Sequence, residues 1–292
     1  MNFIPQLYSQ FISSFESKLH GVQLIRIISV LGPKVGSLEG EISLYYMILN
    51  ERPRLDRDGD ICLKMCIAYC EILRGNLESC KSLLESVKDQ VFEAQTAEAE
   101  VFSRYYRALS QFEKVWTQLF SFLIFNLSFQ VRGNRYEFYK AALLYLVYSN
   151  LEDIRSEDKL NLAIDIAETA LTSDVIFDFA QFLQSSLAKL LAESKFGFLI
   201  ALLELMNGGK VQQFQQLFSQ TQTEVENFPF MKKHLETMKQ KVVYLAVLNM
   251  VLNLNPHDRN IPFTAISKEC SIPLEQVFNI IVLPILFNVS LG

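Results

Sequence analysis

An alternating acidic run, Asp56, Asp58 and Asp60, has the residue types and spacing of the first ligands in a calcium-binding loop. Such a loop also needs a glycine at its sixth position and a glutamate at its twelfth. Here those positions hold Ile61 and Ile67, whose side chains offer no oxygen ligand. The run is therefore predicted to form the acidic N-terminus of a helix, where carboxylates favour the positive end of the helix dipole. We expect no metal site.

Cysteine and histidine are the other residues that could bind a metal or act on a substrate. Cys62, Cys66 and Cys70 recur every four residues, which places them along one helix face rather than in a CxxC loop. This spacing favours buried thiols over a metal site. The histidines form no pattern with a nucleophile and an acid: they are His20, His234 and His257. With no P-loop, GxGxxG or HExxH motif either, the sequence predicts a protein that is not an enzyme and holds no cofactor.

Composition limits the classes to which the chain can belong. Its 292 residues are enough for two domains or one long array around a sizeable core. Half of the residues are hydrophobic and 23 are phenylalanine, which excludes a disordered or tail-like chain. A net charge of −5 argues against non-specific nucleic-acid binding, which needs a basic face. The odd number of cysteines and the lack of a signal-peptide pattern predict a reducing compartment, the cytoplasm or the nucleus.

The stretch 195–218 predicts the unit from which the chain is built. Apolar residues recur at three- and four-residue spacing on both sides of Asn207-Gly208-Gly209, so we expect two helices joined by a glycine turn. The two apolar stripes cannot both be buried by each other, which is the condition of a helical repeat array. Similar turns are predicted around Gly75 and Gly133. The predicted fold class is all-α, a right-handed array of TPR-like helical hairpins.

Residues 116–131 interrupt this pattern because they contain no charged side chain. A membrane span is one interpretation, but the segment is 16 residues long, where a span needs about 20. We favour an insertion into the array, since without it Val115 would run directly into the Arg132-Gly133-Asn134 motif. The segment is accordingly expected to be dispensable and not to cross a membrane.

The C-terminal part has the element order of a winged helix. A long helix is predicted from Pro229 to Asn253, with one apolar seam made of Leu235, Met238, Val242, Leu245, Leu248 and Leu252. A short extended piece, 261–263, and two short helices follow, as in a helix-turn-helix. A DNA-reading helix needs basic or amide side chains, yet residues 269–292 contain no lysine or arginine. This region is therefore predicted to bind protein or to be structural.

Several runs, in this order along the chain, resemble the PCI family, whose members are scaffold subunits of large eukaryotic complexes. They are residues 8–16, 137–144, 163–171, 175–179, 198–214, 261–268 and 272–277. Within that family the order is most similar to subunits of the lid of the 26S proteasome regulatory particle. The resemblance implies an N-terminal helical-repeat region over 1–150, with 116–131 inserted. It also implies a PCI domain over 151–292, consisting of a helical part, 151–240, and an incomplete winged helix, 241–292.

The resemblance further implies a non-catalytic scaffold that supports lid assembly and ubiquitin-dependent protein degradation. Its partners would be other lid and base subunits in a hetero-oligomer, with no nucleic acid and no membrane. A PCI subunit of the COP9 signalosome or of a translation initiation factor complex is the alternative. The family's first helices, its β-wing and its last helix have no counterpart here, so we expect this form to enter lids poorly. The expected partner-binding residues are Asn260, Ile261, Pro262, Phe263, Val277, Ile280 and Ile281.

Overall fold

The computed structural model describes residues 6–12, 18–51, 55–93, 98–123, 128–253, 261–275 and 277. Within these ranges every regular element is a helix, which confirms the all-α prediction. The chain divides into two compact units, Met1–Ile154 and Arg155–Gly292, called here the N-terminal and C-terminal units. This division lies four residues beyond the expected boundary after residue 150.

Among its described residues, the N-terminal unit contains six α-helices. They are α1 Gly21–Leu31, α2 Leu38–Glu51, α3 Arg57–Arg74, α4 Leu77–Glu93, α5 Ala99–Leu123 and α6 Ser128–Tyr148. A π-helical segment, Tyr8–Ile12, precedes them, and 3₁₀ turns occur at Gly32–Val35 and Leu151–Asp153. The central helix is α3, which contacts α1, α2, α4 and α5.

The cysteines of α3 belong to the core of this unit. Cys62 and Cys70 are buried, and Cys66 is half-buried. Burial raises the pKa of the Cys62 and Cys70 thiols, so both stay protonated and pack as small apolar groups. The prediction of buried thiols along one helix face is thus confirmed for these two cysteines.

Asp56 joins the beginnings of two helices. It is the N-cap of α3, where its Oδ1 accepts a hydrogen bond from the Gly59 backbone N–H at 2.8 Å. Its Oδ2 accepts from the Gly21 backbone N–H, at the start of α1, at 2.9 Å. The two glycines leave room for this contact, since a Cβ at Gly21 would lie 2.1 Å from Asp56 Oδ1. The acidic run therefore begins a helix, as predicted, instead of forming a calcium loop.

Two of the predicted glycine turns are confirmed and the third is wrong. Gly75 follows α3 with φ +88°, a left-handed conformation that glycine adopts without strain. Gly209 has φ +63° between the two helices of the stretch 195–218. Gly133, however, lies inside α6, where the backbone is helical. A glycine permits a turn but does not force one, because its cost in a helix interior is only about 1 kcal/mol.

The uncharged segment 116–131 lies largely in helices. Residues 116–123 form the end of α5 and residues 128–131 the start of α6, and these two helices pack against each other. The segment thus lengthens a helical hairpin. Among the described residues, no helix combines the length and the apolar composition needed to cross a membrane. That the segment is dispensable stays a prediction.

In the C-terminal unit, the helices whose bounds lie within the described residues are α7 Ser156–Thr172, α8 Ala180–Leu183, α9 Ser186–Ala192, α10 Gly197–Asn207, α11 Val211–Gln220, α12 Gln222–Val225, α13 Pro229–Lys233, α14 Leu235–Leu252 and α15 Phe263–Cys270. Its central helix is α10, which contacts α7, α9, α11 and α14. The predicted stripe on α10 is fully buried and consists of Leu199, Leu202, Leu203 and Met206. The expectation that neighbours on several sides cover this stripe is confirmed.

Candidate partner-binding surface

The surface expected to bind partners includes α15, which is held against the rest of its unit. This helix contacts α11 and α14, and its Ile266 is buried. Two hydrogen bonds fix the chain that follows it. Gln212 Nε2 on α11 donates to Ser271 Oγ at 2.8 Å, and Ser267 Oγ donates to the Ile272 backbone oxygen at 2.7 Å. The exposed side of α15 is therefore presented in a defined orientation.

The expected partner-binding residues differ in their exposure. Pro262 is exposed and Ile261 is half-buried, while Phe263 keeps 47% of its surface accessible. Phe263 is the first residue of α15, so the extended piece predicted over 261–263 is wrong at that residue. Val277 is fully buried and does not face solvent. The other three expected residues lie outside the described residues: Asn260, Ile280 and Ile281.

The long helix predicted from Pro229 to Asn253 is divided in the structure. It consists of α13 and α14, with His234 between them. The apolar seam of α14 is buried only from Met238 to Leu245. Leu248 is 48% exposed and Leu252 is 70% exposed, contrary to the prediction of one continuous seam. The end of α14 therefore exposes apolar side chains to solvent.

Lys241 is a buried residue on α14 that the sequence analysis missed. Its Nζ donates hydrogen bonds to the Ala170 and Ser173 backbone oxygens, at 2.5 and 2.7 Å, at the end of α7. The ammonium also lies 4.8 Å from the centre of the Phe179 ring. A cation at a helix C-terminus complements the helix dipole, and the aromatic ring adds a cation–π contact. Lys241 thus ties α14 to α7, and its position three residues after buried Met238 was the only signal in the sequence.

His20 and Cys66 have neighbours that suit a structural role. His20 Nε2 lies 3.3 Å from Asp56 Oδ2, and its Nδ1 lies 3.5 Å from Glu98 Oε1. Both ring nitrogens therefore face carboxylates, and neither points to a nucleophile. Cys66 Sγ accepts a hydrogen bond from Arg104 Nη1 at 3.0 Å. In the part of the chain that the structure describes, no group of three or more His, Cys, Asp or Glu side chains could hold a metal ion.

Comparisons with known proteins agree along most of the chain. A family model described as PSD13 N-terminal repeats matches residues 2–203. The 26S proteasome non-ATPase regulatory subunit 13 of Dictyostelium discoideum is 25% identical over 98% of this chain and 70% of that protein. The homolog A from Arabidopsis thaliana is 24% identical over 93% of this chain and 67% of its own length. The 26S proteasome regulatory subunit RPN9 of Saccharomyces cerevisiae is 22% identical, covering 94% and 68% respectively.

Proposed function

This chain belongs to the family of PSD13 N-terminal repeats, and from that premise we propose that it is a non-catalytic scaffold subunit of the 26S proteasome lid. The observation that carries the proposal is the similarity to proteasome regulatory subunits, which extends over nearly the whole chain. Because these relatives are named as proteasome subunits, the COP9 signalosome and translation initiation alternatives are not favoured. As a lid subunit, the chain would support assembly of the regulatory particle and degradation of ubiquitinated proteins.

We propose a PCI architecture for the scaffold. The helix pair α3 and α4 around Gly75 supports TPR-like hairpins in the N-terminal unit, and α10 and α11 around Gly209 form a similar pair in the C-terminal unit. The order and contacts of α14 and α15 support the start of a winged helix. The right-handed stacking of the hairpins and the wing itself are part of the proposal.

The proposed partners are other lid and base subunits, bound around the start of α15. Pro262 and Phe263 are the exposed residues of the expected surface, and the end of α14 contributes Leu248 and Leu252. Exposed apolar side chains are typical of protein interfaces when they form one patch, and we propose that these do. The chain's net charge of −5 supports a protein partner rather than a nucleic acid. We assign the resulting hetero-oligomer to the cytoplasm and the nucleus and expect no membrane attachment.

Affinity purification of the tagged chain from cells tests this proposal. We expect a low but measurable recovery of lid subunits in the eluate, identified by mass spectrometry. Phe263→Asp should reduce their recovery at least several-fold without lowering the melting temperature, because an exposed residue contributes little to folding. Leu73→Asp is the matched control, since Leu73 is 60% exposed on α3 of the other unit. Recovery of signalosome or initiation-factor subunits without proteasome subunits would overturn the assignment.

A further inference from the structure

The N-terminal unit contains a groove along α5 that the proposed function does not use. It has a volume of about 460 Å³ and is lined by side chains of α4, α5 and α6. The lining residues of α4 run from Lys81 to Phe92. At 1.5 Å per residue this gives the groove a length of about 16 Å, or three helical turns. This length matches one face of a short helix.

The inner surface of the groove is apolar and aromatic. Leu84 and Phe112 are buried at its base, and the Tyr105 ring meets the Phe92 ring edge-on at a centroid distance of 6.3 Å. Phe92 itself is 62% exposed at the mouth. An aromatic residue in this position offers a large apolar area to an incoming side chain. The groove is therefore open to solvent at Phe92 and is not a closed internal cavity.

Two carboxylates line this groove near enough for the charge of one to act on the other. Glu113 on α5 and Glu137 on α6 both line it, and among the described contacts neither has a hydrogen bond or an ion pair. Burial and the negative charge of Glu137 raise the pKa of Glu113 to about 7. A cation placed between the two side chains would offset the repulsion and favour the ionised form of both carboxylates.

The nearby lysines do not supply that cation. The other charged residues that line the groove are Lys81, Glu85 and Lys88 on α4 and Lys140 on α6. Lys81 Nζ lies 3.9 Å from Glu85 Oε1 on its own helix. Lys140 forms no ion pair with Glu137 among the described residues, although only one helical turn separates them. Neither Lys88 nor Lys140 is among the charges that shift the pKa of Glu113, so no described lysine of the groove compensates this carboxylate.

We propose that this groove docks one face of an amphipathic helix from a partner protein, with apolar side chains in the groove and an arginine or lysine over Glu113 and Glu137. Helices bind grooves of this kind through side chains at i, i+3, i+4 and i+7. Charge complementarity selects this occupant over the chain's own C-terminal residues, since 278–292 contain no lysine or arginine. The inference concerns the N-terminal unit and does not depend on which complex the chain enters.

The only tryptophan of the chain provides a direct assay. Trp116 stacks on Phe112 at a ring-centroid distance of 5.5 Å, and Phe112 lines the groove next to Glu113. Three synthetic helical peptides serve as probes, each with leucines at i, i+4 and i+7. They differ only at i+3, which holds arginine, its neutral analogue citrulline, or glutamate. Titration at pH 8, where Glu113 is ionised, is followed by Trp116 fluorescence and by calorimetry.

The arginine peptide should bind about tenfold more tightly than the citrulline peptide, the ratio that 1.4 kcal/mol of ion pairing produces. The glutamate peptide should bind more weakly than both. The double variant Glu113→Gln, Glu137→Gln should bind arginine and citrulline peptides equally. Glu85→Gln, on the opposite wall, is the control and should keep the tenfold preference.

A second variant separates the apolar contribution from the charge. Phe92→Ala should weaken all three peptides by a similar factor, because the exposed ring contributes area but no charge. Circular dichroism before each titration confirms that the variants are folded. Absence of binding by the arginine peptide in calorimetry, or equal affinities of the three peptides for the native chain, would overturn the proposal. Neither result would affect recovery of the chain with proteasome subunits, which is measured separately.

Discussion

Replacing Gly209 with alanine should destabilise the C-terminal unit more than any other glycine-to-alanine change in a turn of this chain. Gly209 has φ +63°, and a Cβ built there would lie 2.5 Å from the Ala246 Cα on α14. The turn is also tied to α14 by Asn249 Nδ2, which donates to the Asn207 backbone oxygen at 3.0 Å. The added methyl group therefore meets backbone, which cannot rotate away as a flexible side chain could.

Two effects combine in this variant. A left-handed conformation costs a residue with a Cβ about 1–2 kcal/mol. Forcing an extra methyl group into a packed contact costs about 1–3 kcal/mol more, since the turn must move away from α14. The loss should be about 2–5 kcal/mol, which for a unit of this size lowers the melting temperature by roughly 6–20 °C.

Thermal and urea denaturation of matched variants test this reasoning. Gly75→Ala has the same left-handed backbone, but no atom lies within 4 Å of its added Cβ, so it should lose only the conformational part. Gly208→Ala, in the same turn as Gly209, has φ −75° and should change stability by less than about 1 kcal/mol. If Gly209→Ala lost no more stability than Gly75→Ala, the close approach of the turn to α14 would be wrong.

Three further changes test other parts of the fold and the groove. Asp56→Ala removes caps from α1 and α3 and should cost about 2–3 kcal/mol by urea denaturation, whereas Asp58→Ala should cost less than half as much. Leu202→Asp places an unpaired charge at a fully buried site and should prevent folding, which is measured as loss of soluble protein. A soluble variant with an unchanged melting temperature would refute the packing of α10. Glu113→Gln should gain stability over the native chain as the pH rises from 5 to 8. The pKa of Glu113 is raised from 4.5 to about 7 in the folded chain, so the native chain loses stability as the pH rises from 4.5 to 7. Parallel curves of stability against pH for the two proteins would contradict this.

Sequence alone was enough to predict the helical class, the acidic start of the helix after Asp56 and the turns at Gly75 and Gly209. These features depend on a few neighbouring residues: a carboxylate that accepts from nearby backbone N–H groups, or a glycine that adopts φ above zero. The buried stripe of α10 was predictable for a similar reason, because its apolar spacing is that of a helix. The family resemblance came from the order of many such local patterns along the chain.

The candidate surfaces were only partly predictable. Phe263 is exposed as expected, but Val277 is buried, because the spacing of apolar residues does not state which of them another helix covers. For the same reason Leu252 is exposed at the end of a seam that was predicted to be continuous. Burial is a property of neighbours that are distant in sequence.

Local pattern determined where this chain is helical and where two of its turns lie, because caps and backbone conformations are properties of adjacent residues. Tertiary structure alone decided that Gly133 continues a helix, since packing of α6 against α5 outweighs a preference of about 1 kcal/mol. It also brought Lys241 to the end of α7 and placed Glu113 and Glu137 along one groove. These pairs join residues on different helices, and their energies depend on distances that exist only after the helices have packed.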